Sequence, residues 1–138
     1  MIGVLVVTHG SIGEALLTSA AQILGGAPAQ VATLSVWRQD DPDDLVLRAR
    51  ELLETLDAGD GVLVLTDIFG ATPGNVVSRL LEDGRVEGVS GASLPMLLRV
   101  LTSRNGSTGS KLSAAVQRAI SGGSEGVVHM NSDRCCDA

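Results

Sequence analysis

Aromatic residues are almost missing from this 138-residue chain, which has one Trp, one Phe and no Tyr. Without them nucleic-acid bases have no platform to stack on, and a net charge of -6 argues against a phosphate-backbone footprint. Nucleic acid is therefore not an expected partner. Cysteine is scarce as well: Cys135 and Cys136 stand side by side in a polar tail, lack the C-x-x-C spacing of metal or redox sites, and read as incidental thiols. No apolar stretch approaches the roughly 20 residues needed to cross a bilayer. The N-terminal run Ile2 to Val7 has neither a basic leader nor a cleavage site, so it reads as a strand and not as a signal. A soluble, cytoplasmic protein is expected. Also missing are a G-x-S-x-G elbow on a strand-to-helix turn and a Walker lysine motif, which sets aside serine-hydrolase and P-loop chemistry.

What the chain does have is a repeated alternation of apolar runs and helical patterns. Ile2-Gly3-Val4-Leu5-Val6-Val7 and Val62-Leu63-Val64-Leu65-Thr66 are continuous and rich in β-branched residues, the pattern of parallel strands buried on both faces. Val31 to Val36 and Val86 to Val89 are two further strands. Between them lie helices. Ser11 with Glu14 three residues on reads as a capping box for a helix through Leu24, closed by Gly25-Gly26-Ala27-Pro28. A second helix starts at the acidic Asp43-Asp44 and runs to about Leu56. Thr72 as N-cap with Pro73 behind it opens a third, Ser93-Leu94-Pro95-Met96 a fourth, and Leu112 to Ile120 forms the last. The loop Ser103 to Ser110 is expected to be mobile, Gly126 to Met130 to be a short fifth strand, and the end of the chain to be a frayed tail. The expected fold is α/β: an open, mostly parallel, doubly wound sheet of four strands flanked by helices, plus a C-terminal antiparallel strand.

Strands one and three end in the residues with chemistry. His9 follows the first run and Asp67 the third, and in open α/β sheets ligands bind where such strand ends converge. If the two strands are neighbours, Asp67 can accept the Nδ1 hydrogen of His9, fix its tautomer and leave Nε2 as the nucleophile. Gly10, Ser11 and Thr72 are the candidate phosphate-binding residues, since free amides at a helix start attract anions without a basic side chain. His129 falls in the last strand candidate, away from His9 and Asp67, so neither a metal site nor a cofactor is expected.

These residues carry a resemblance. Val6-Val7-Thr8-His9-Gly10, Thr66-Asp67-Ile68-Phe69-Gly70-Ala71-Thr72-Pro73-x-Asn75, Ser78-Arg79 and Gly91-Ala92-Ser93-Leu94-Pro95-Met96-Leu97 resemble the mannose-family IIA component of the bacterial phosphoenolpyruvate-dependent sugar phosphotransferase system. The resemblance runs from Met1 to about Asn131, which implies a phosphoryl-carrier domain over 1–131 and a disordered tail over 132–138. It implies that His9 accepts a phosphoryl group from the histidine-containing phosphocarrier protein HPr and passes it to a IIB domain, with a membrane IIC/IID pair involved only indirectly. Asp67 matches the aspartate that orients the histidine, Thr72 stands where the family often has serine, and Phe69 where some members have tryptophan. Family members are homodimers in which a C-terminal strand crosses to the partner, which Glu125 to Met130 would match. Two alternatives stay open. One is the phosphocarrier subunit of a dihydroxyacetone kinase, expected with further phosphocarrier domains that this sequence lacks. The other is a stand-alone regulatory module whose partner binding is switched by His9 phosphorylation.

Overall fold

A computed structural model describes residues 1–105 and 111–133. Four strands, β1 (Gly3–His9), β2 (Val31–Val36), β3 (Val62–Thr66) and β4 (Val86–Ser90), form one sheet in the order β2-β1-β3-β4, every pairing parallel. Between and after them come α1 (Ile12–Leu24), α2 (Pro42–Leu56), α3 (Thr72–Ser78), α4 (Leu94–Ser103), α5 (Leu112–Glu125) and α6 (Met130–Asp133).

The two continuous apolar runs occupy the middle of the sheet, and their alternation feeds both faces. Leu5, Val7, Val62 and Val64 pack on one side with Leu45, Val46 and Ala49 of α2 and Val76 and Val77 of α3. Val4, Val6, Leu63 and Leu65 pack on the other with Ala20 of α1, Leu97 and Val100 of α4 and Ala115 and Ala119 of α5. A strand whose every side chain is buried has no polar face to write into the sequence, so it reads as an unbroken run. The chain leaves β1 toward β2 but leaves β3 toward β4, and this reversal opens a crevice at the carboxyl ends of β1 and β3.

Helix α1 sits close upon β1 because Gly13 has no side chain: a Cβ there would stand 3.1 Å from Thr8 Oγ1 and 3.2 Å from Val6 Cγ1. At the opposite end of the sheet the buried Arg104, just past α4, donates to the main-chain carbonyls of Ile2, Ala29 and Gln30. Burial pulls its guanidinium below its ordinary pKa, and those three acceptors offset the cost of desolvating the charge. The planar fork ties the starts of β1 and β2 to the end of α4.

Three expectations need correction. The expected capping box at Ser11 and Glu14 does not form: Thr8 Oγ1 accepts the Gly13 N–H at 2.8 Å, and Glu14 turns instead to the Ser35 hydroxyl. Thr72 is the first residue of α3 and not its cap, which is Ala71 in an extended conformation. The expected fifth strand is not formed among the described residues, because α5 continues to Glu125 and Met130 opens α6. Gly122, Gly123 and Gly126 are contact glycines. Cβ atoms there would lie 2.8 Å from Arg99 Cβ, 2.9 Å from Met96 Cε and 2.5 Å from Pro95 Cβ, so their bareness lets α5 press onto α4. Most of the loop expected to be mobile, 106–110, and most of the expected tail, 134–138 with Cys135 and Cys136, lie outside the described residues.

Candidate functional site

The parallel register sets Val7 beside Thr66, so the residues that follow them, Asp67 and the last two of β1, meet at the crevice. His9 and Asp67 are brought together. The Asp67 carboxylate accepts from the His9 ring through Oδ2, at 2.8 Å from Nδ1, and the same oxygen accepts the His9 main-chain N–H at 3.1 Å. Its other oxygen, Oδ1, accepts the Ile68 N–H at 3.0 Å, with the Thr66 hydroxyl at the outer limit of 3.5 Å. A carboxylate held from both sides cannot rotate, so the imidazole it grips is held as well.

Exposure divides the pair by role. The Asp67 side chain is 13% exposed and that of His9 is 49% exposed. Burial pushes the Asp67 carboxyl up, but the ring and main-chain hydrogen bonds from His9 and its charge outweigh burial and leave it below the usual carboxylate value. Asp67 is therefore ionised at neutral pH and acts only as an acceptor, which places the Nδ1 hydrogen on its side and the Nε2 lone pair toward the open side.

The turn after His9 is built around Gly10, which adopts φ +48, a conformation open to glycine at little cost. Its N–H is engaged with Val36 O at 2.9 Å, so Gly10 contributes the shape of the turn and no donor. The first α1 bond runs from Ala15 N to Ser11 O, and Thr8 takes the Gly13 N–H. Among the described residues this leaves the Ser11, Ile12 and Glu14 N–H groups without a protein acceptor. Thr72 is exposed at the start of α3, and its hydroxyl has no hydrogen bond to His9 or Asp67. His129, between α5 and α6, bonds Ser132 Oγ at 2.8 Å and makes no hydrogen bond to His9 or Asp67. No cluster of three His, Cys, Asp or Glu side chains that could hold a metal is found among the described residues.

One residue of the site escapes sequence reasoning. Trp37 follows the last residue of β2, and a Cβ on Gly10 would stand 3.2 Å from its ring, so the indole lies on the histidine turn. Its signal was available: the chain's sole Trp stands at a strand's carboxyl end, just ahead of an aspartate-rich turn.

A family described as "PTS system fructose IIA component", EIIA-man, matches residues 3–117. The chain is 31% identical over 127 residues to the mannose-specific EIIAB component of Escherichia coli strain K12, covering 91% of this chain and 38% of that protein. It thus spans well under half of that relative. It is 32% identical over 105 residues to the fructose-specific EIIA component of Bacillus subtilis, covering 75% of this chain and 71% of that one. Among solved structures, the phosphotransferase system component EIIA from Streptococcus agalactiae superposes with a TM-score of 0.82 at 26% identity, over 96% of this chain and 99% of that one. No helix among the described residues is long and apolar enough to cross a membrane.

Proposed function

Because this chain belongs to the mannose-type IIA family of the sugar phosphotransferase system, we propose that it carries a phosphoryl group on His9 Nε2, taken from HPr and passed to a IIB domain. The observation that carries the reading is the 2.8 Å bond between His9 Nδ1 and the ionised Asp67, on a ring still half open to a partner. In the accepting step the Nε2 lone pair attacks phosphorus as the bond from phosphorus to the donor's imidazole nitrogen breaks, and the departing electron pair stays on the donor. The Nδ1 hydrogen remains between His9 and Asp67. As the imidazole gains positive character, the carboxylate stabilises it, and the outward step to IIB reverses the same events.

The surroundings suit a carrier, which must release what it accepts. Neither the turn Gly10 to Gly13 nor the segment Asp67 to Asn75 contains a Lys or Arg, which fits a phosphate held by dipoles in place of a cation that would trap it. Ser11, by its N–H and hydroxyl, and Thr72, by its hydroxyl, are the proposed phosphate contacts, with Gly10 shaping the turn that presents them. The expected compartment is the cytoplasm.

A homodimer is the proposed assembly, with the residues after α5 laid along a partner's β4. Support comes from β4 being an edge strand and from a groove of about 430 Å³ beside it, lined in part by Val89, Pro95, Met96, Ile120 and Val127. Val127, Val128 and Met130 are exposed apolar residues that such an exchange would cover.

The phosphorylation test uses phosphoenolpyruvate, enzyme I and HPr. Wild type should take up acid-labile phosphate and lose it on addition of a IIB domain, and His9→Ala should take up none. Label retained by a folded His9→Ala variant, or mapped to His129, refutes the reading.

A further inference from the structure

The two aromatic side chains of the molecule are both on the surface, and both flank the histidine. Trp37 is 51% exposed and Phe69 79% exposed, on a chain with no other aromatic residue. Folding alone would bury such side chains, which carry the largest apolar area available. Their location is set by the sheet. β1 lies between β2 and β3, all parallel, so Trp37 leaves the carboxyl end of one neighbour and Asp67-Ile68-Phe69 the carboxyl end of the other. Ile12 and Ile68 add exposed apolar surface on the same edge.

Trp37 is also held in place. Its N–H donates to Asp40 Oδ2 at 2.8 Å and its carbonyl accepts the Asp40 N–H at 3.0 Å, a closed turn that fixes the backbone from which the indole reaches Gly10. An aromatic ring anchored before binding loses little freedom on docking, which is why tryptophan so often dominates the energy of protein interfaces. Just outside this apolar centre the rim is acidic. Asp40, Asp41 and Asp44, with Arg48, line a shallow concavity at the start of α2, while nearby Asp43 is paired with Arg79 at 2.8 Å.

We infer that Trp37 is the specificity-determining anchor for the phosphoryl donor. In this inference Trp37 and Phe69 grip, from opposite sides of His9, a donor face that is apolar around its phosphohistidine and cationic at its margin. The inference rests on the reading of His9 as phosphoryl acceptor. The donor is chosen over the IIB acceptor because Asp40, Asp41 and Asp44, which make no ion pair among the described residues, outnumber Arg48 in that concavity and complement a basic margin, and such complementarity steers encounter.

The test is rapid-quench phosphoryl transfer from phosphorylated HPr to the full chain over a range of donor concentrations, in wild type, Trp37→Ala and Trp37→Phe. Phosphoramidate, a small donor that needs no docking face, is run in parallel. The expected result is a KM for phosphorylated HPr raised about tenfold or more in Trp37→Ala, as loss of a tryptophan anchor implies, with kcat falling much less. Trp37→Phe should recover most of the KM, and the wild-type KM should rise with salt. An unchanged KM in Trp37→Ala overturns the inference, as does a loss of equal size toward phosphoramidate, which would locate the defect in the histidine turn. A loss confined to the step from the phosphorylated chain to IIB overturns the choice of donor, and a salt-independent KM overturns the cationic margin. A wild type that accepts phosphate from phosphoramidate but none from phosphorylated HPr overturns the carrier reading itself, and the inference with it.

Discussion

Replacing Asp67 by Asn removes one charge and one acceptor while keeping the shape, and the consequence can be worked out donor by donor. In the native site both carboxylate oxygens accept N–H groups, Oδ2 from the His9 ring and main chain and Oδ1 from Ile68. An amide has one oxygen. Turned toward His9 it keeps two bonds and sets its own NH2 against the Ile68 N–H; turned the other way it opposes two donors with a third. The first orientation loses less, so the tautomer of His9 survives and the main loss is the negative charge facing the imidazole as that ring becomes positive. A hydrogen bond to a charged group contributes about 1.5–3 kcal/mol, and each 1.36 kcal/mol is about tenfold in rate, so phosphoryl transfer should slow by roughly 10- to 100-fold. This is less than the roughly 10⁴-fold seen when a triad histidine is set in the wrong tautomer. The assay is rapid-quench transfer from phosphorylated HPr at saturating concentration. A rate within twofold of wild type in a folded Asp67→Asn chain would refute the assignment. The same substitution fixes a pH dependence. The folded carboxyl titrates below its unfolded value of about 3.9, so between the two values the unfolded chain holds more protons and stability rises with pH. The contribution of the ionised Asp67 is complete above the unfolded value and drains away as pH falls through the folded one. Denaturant midpoints of wild type and Asp67→Asn should therefore converge on acidification.

Further expectations follow from residues outside the reacting pair. Thr8→Val strips the Gly13 N–H of its acceptor in a buried setting and should cost about 1–3 kcal/mol in urea unfolding; an unchanged midpoint would mean that α1 needs no cap from β1. Arg104→Ala deprives the carbonyls of Ile2, Ala29 and Gln30 of their shared donor and should cost about 3 kcal/mol or more, while Arg104→Lys should restore little because a single ammonium cannot span three acceptors. Truncation after Gly126 spares the whole of α5 and should convert a dimer to monomer in light scattering; a full-length chain already monomeric at micromolar concentration defeats the exchanged-strand proposal.

The sequence was most legible where burial is two-sided. The runs at Val4 to Val7 and Val62 to Thr66 have the pattern of strands buried on both faces, and they form the middle of the sheet with His9 and Asp67 at their carboxyl ends. Local rules failed where a tertiary partner supplied what sequence neighbours were expected to supply. Ser11 and Glu14 have the spacing of a capping box, yet Ser11 sits at φ -93, ψ 12 and makes no cap bond, while the Glu14 carboxylate is taken up by the Ser35 hydroxyl on β2. Gly122 and Gly123 have the composition of a hinge, but their bareness answers the side chains of Arg99 and Met96 on another helix, which no local window contains. Trp37 is inconspicuous in the sequence for a related reason: its place comes from the parallel neighbour that brings Gly10 beneath it, not from any motif around it.

His9 and Asp67 are 58 residues apart in the chain, so their contact closes a long loop. β1 alone has no carboxylate for its histidine, and the β3 that provides one follows α1, β2 and α2 in the chain. Pairings of such long sequence separation are slow, because loop closure costs entropy before any contact repays it. The site therefore matures late. In a refolding experiment helical signal should return first and phosphate acceptance afterwards, in step with protection of the β1 and β3 amides. A nascent or damaged chain presents a histidine with no fixed tautomer, so on the proposed function phosphoryl uptake would double as a kinetic checkpoint on the innermost pairing of the sheet.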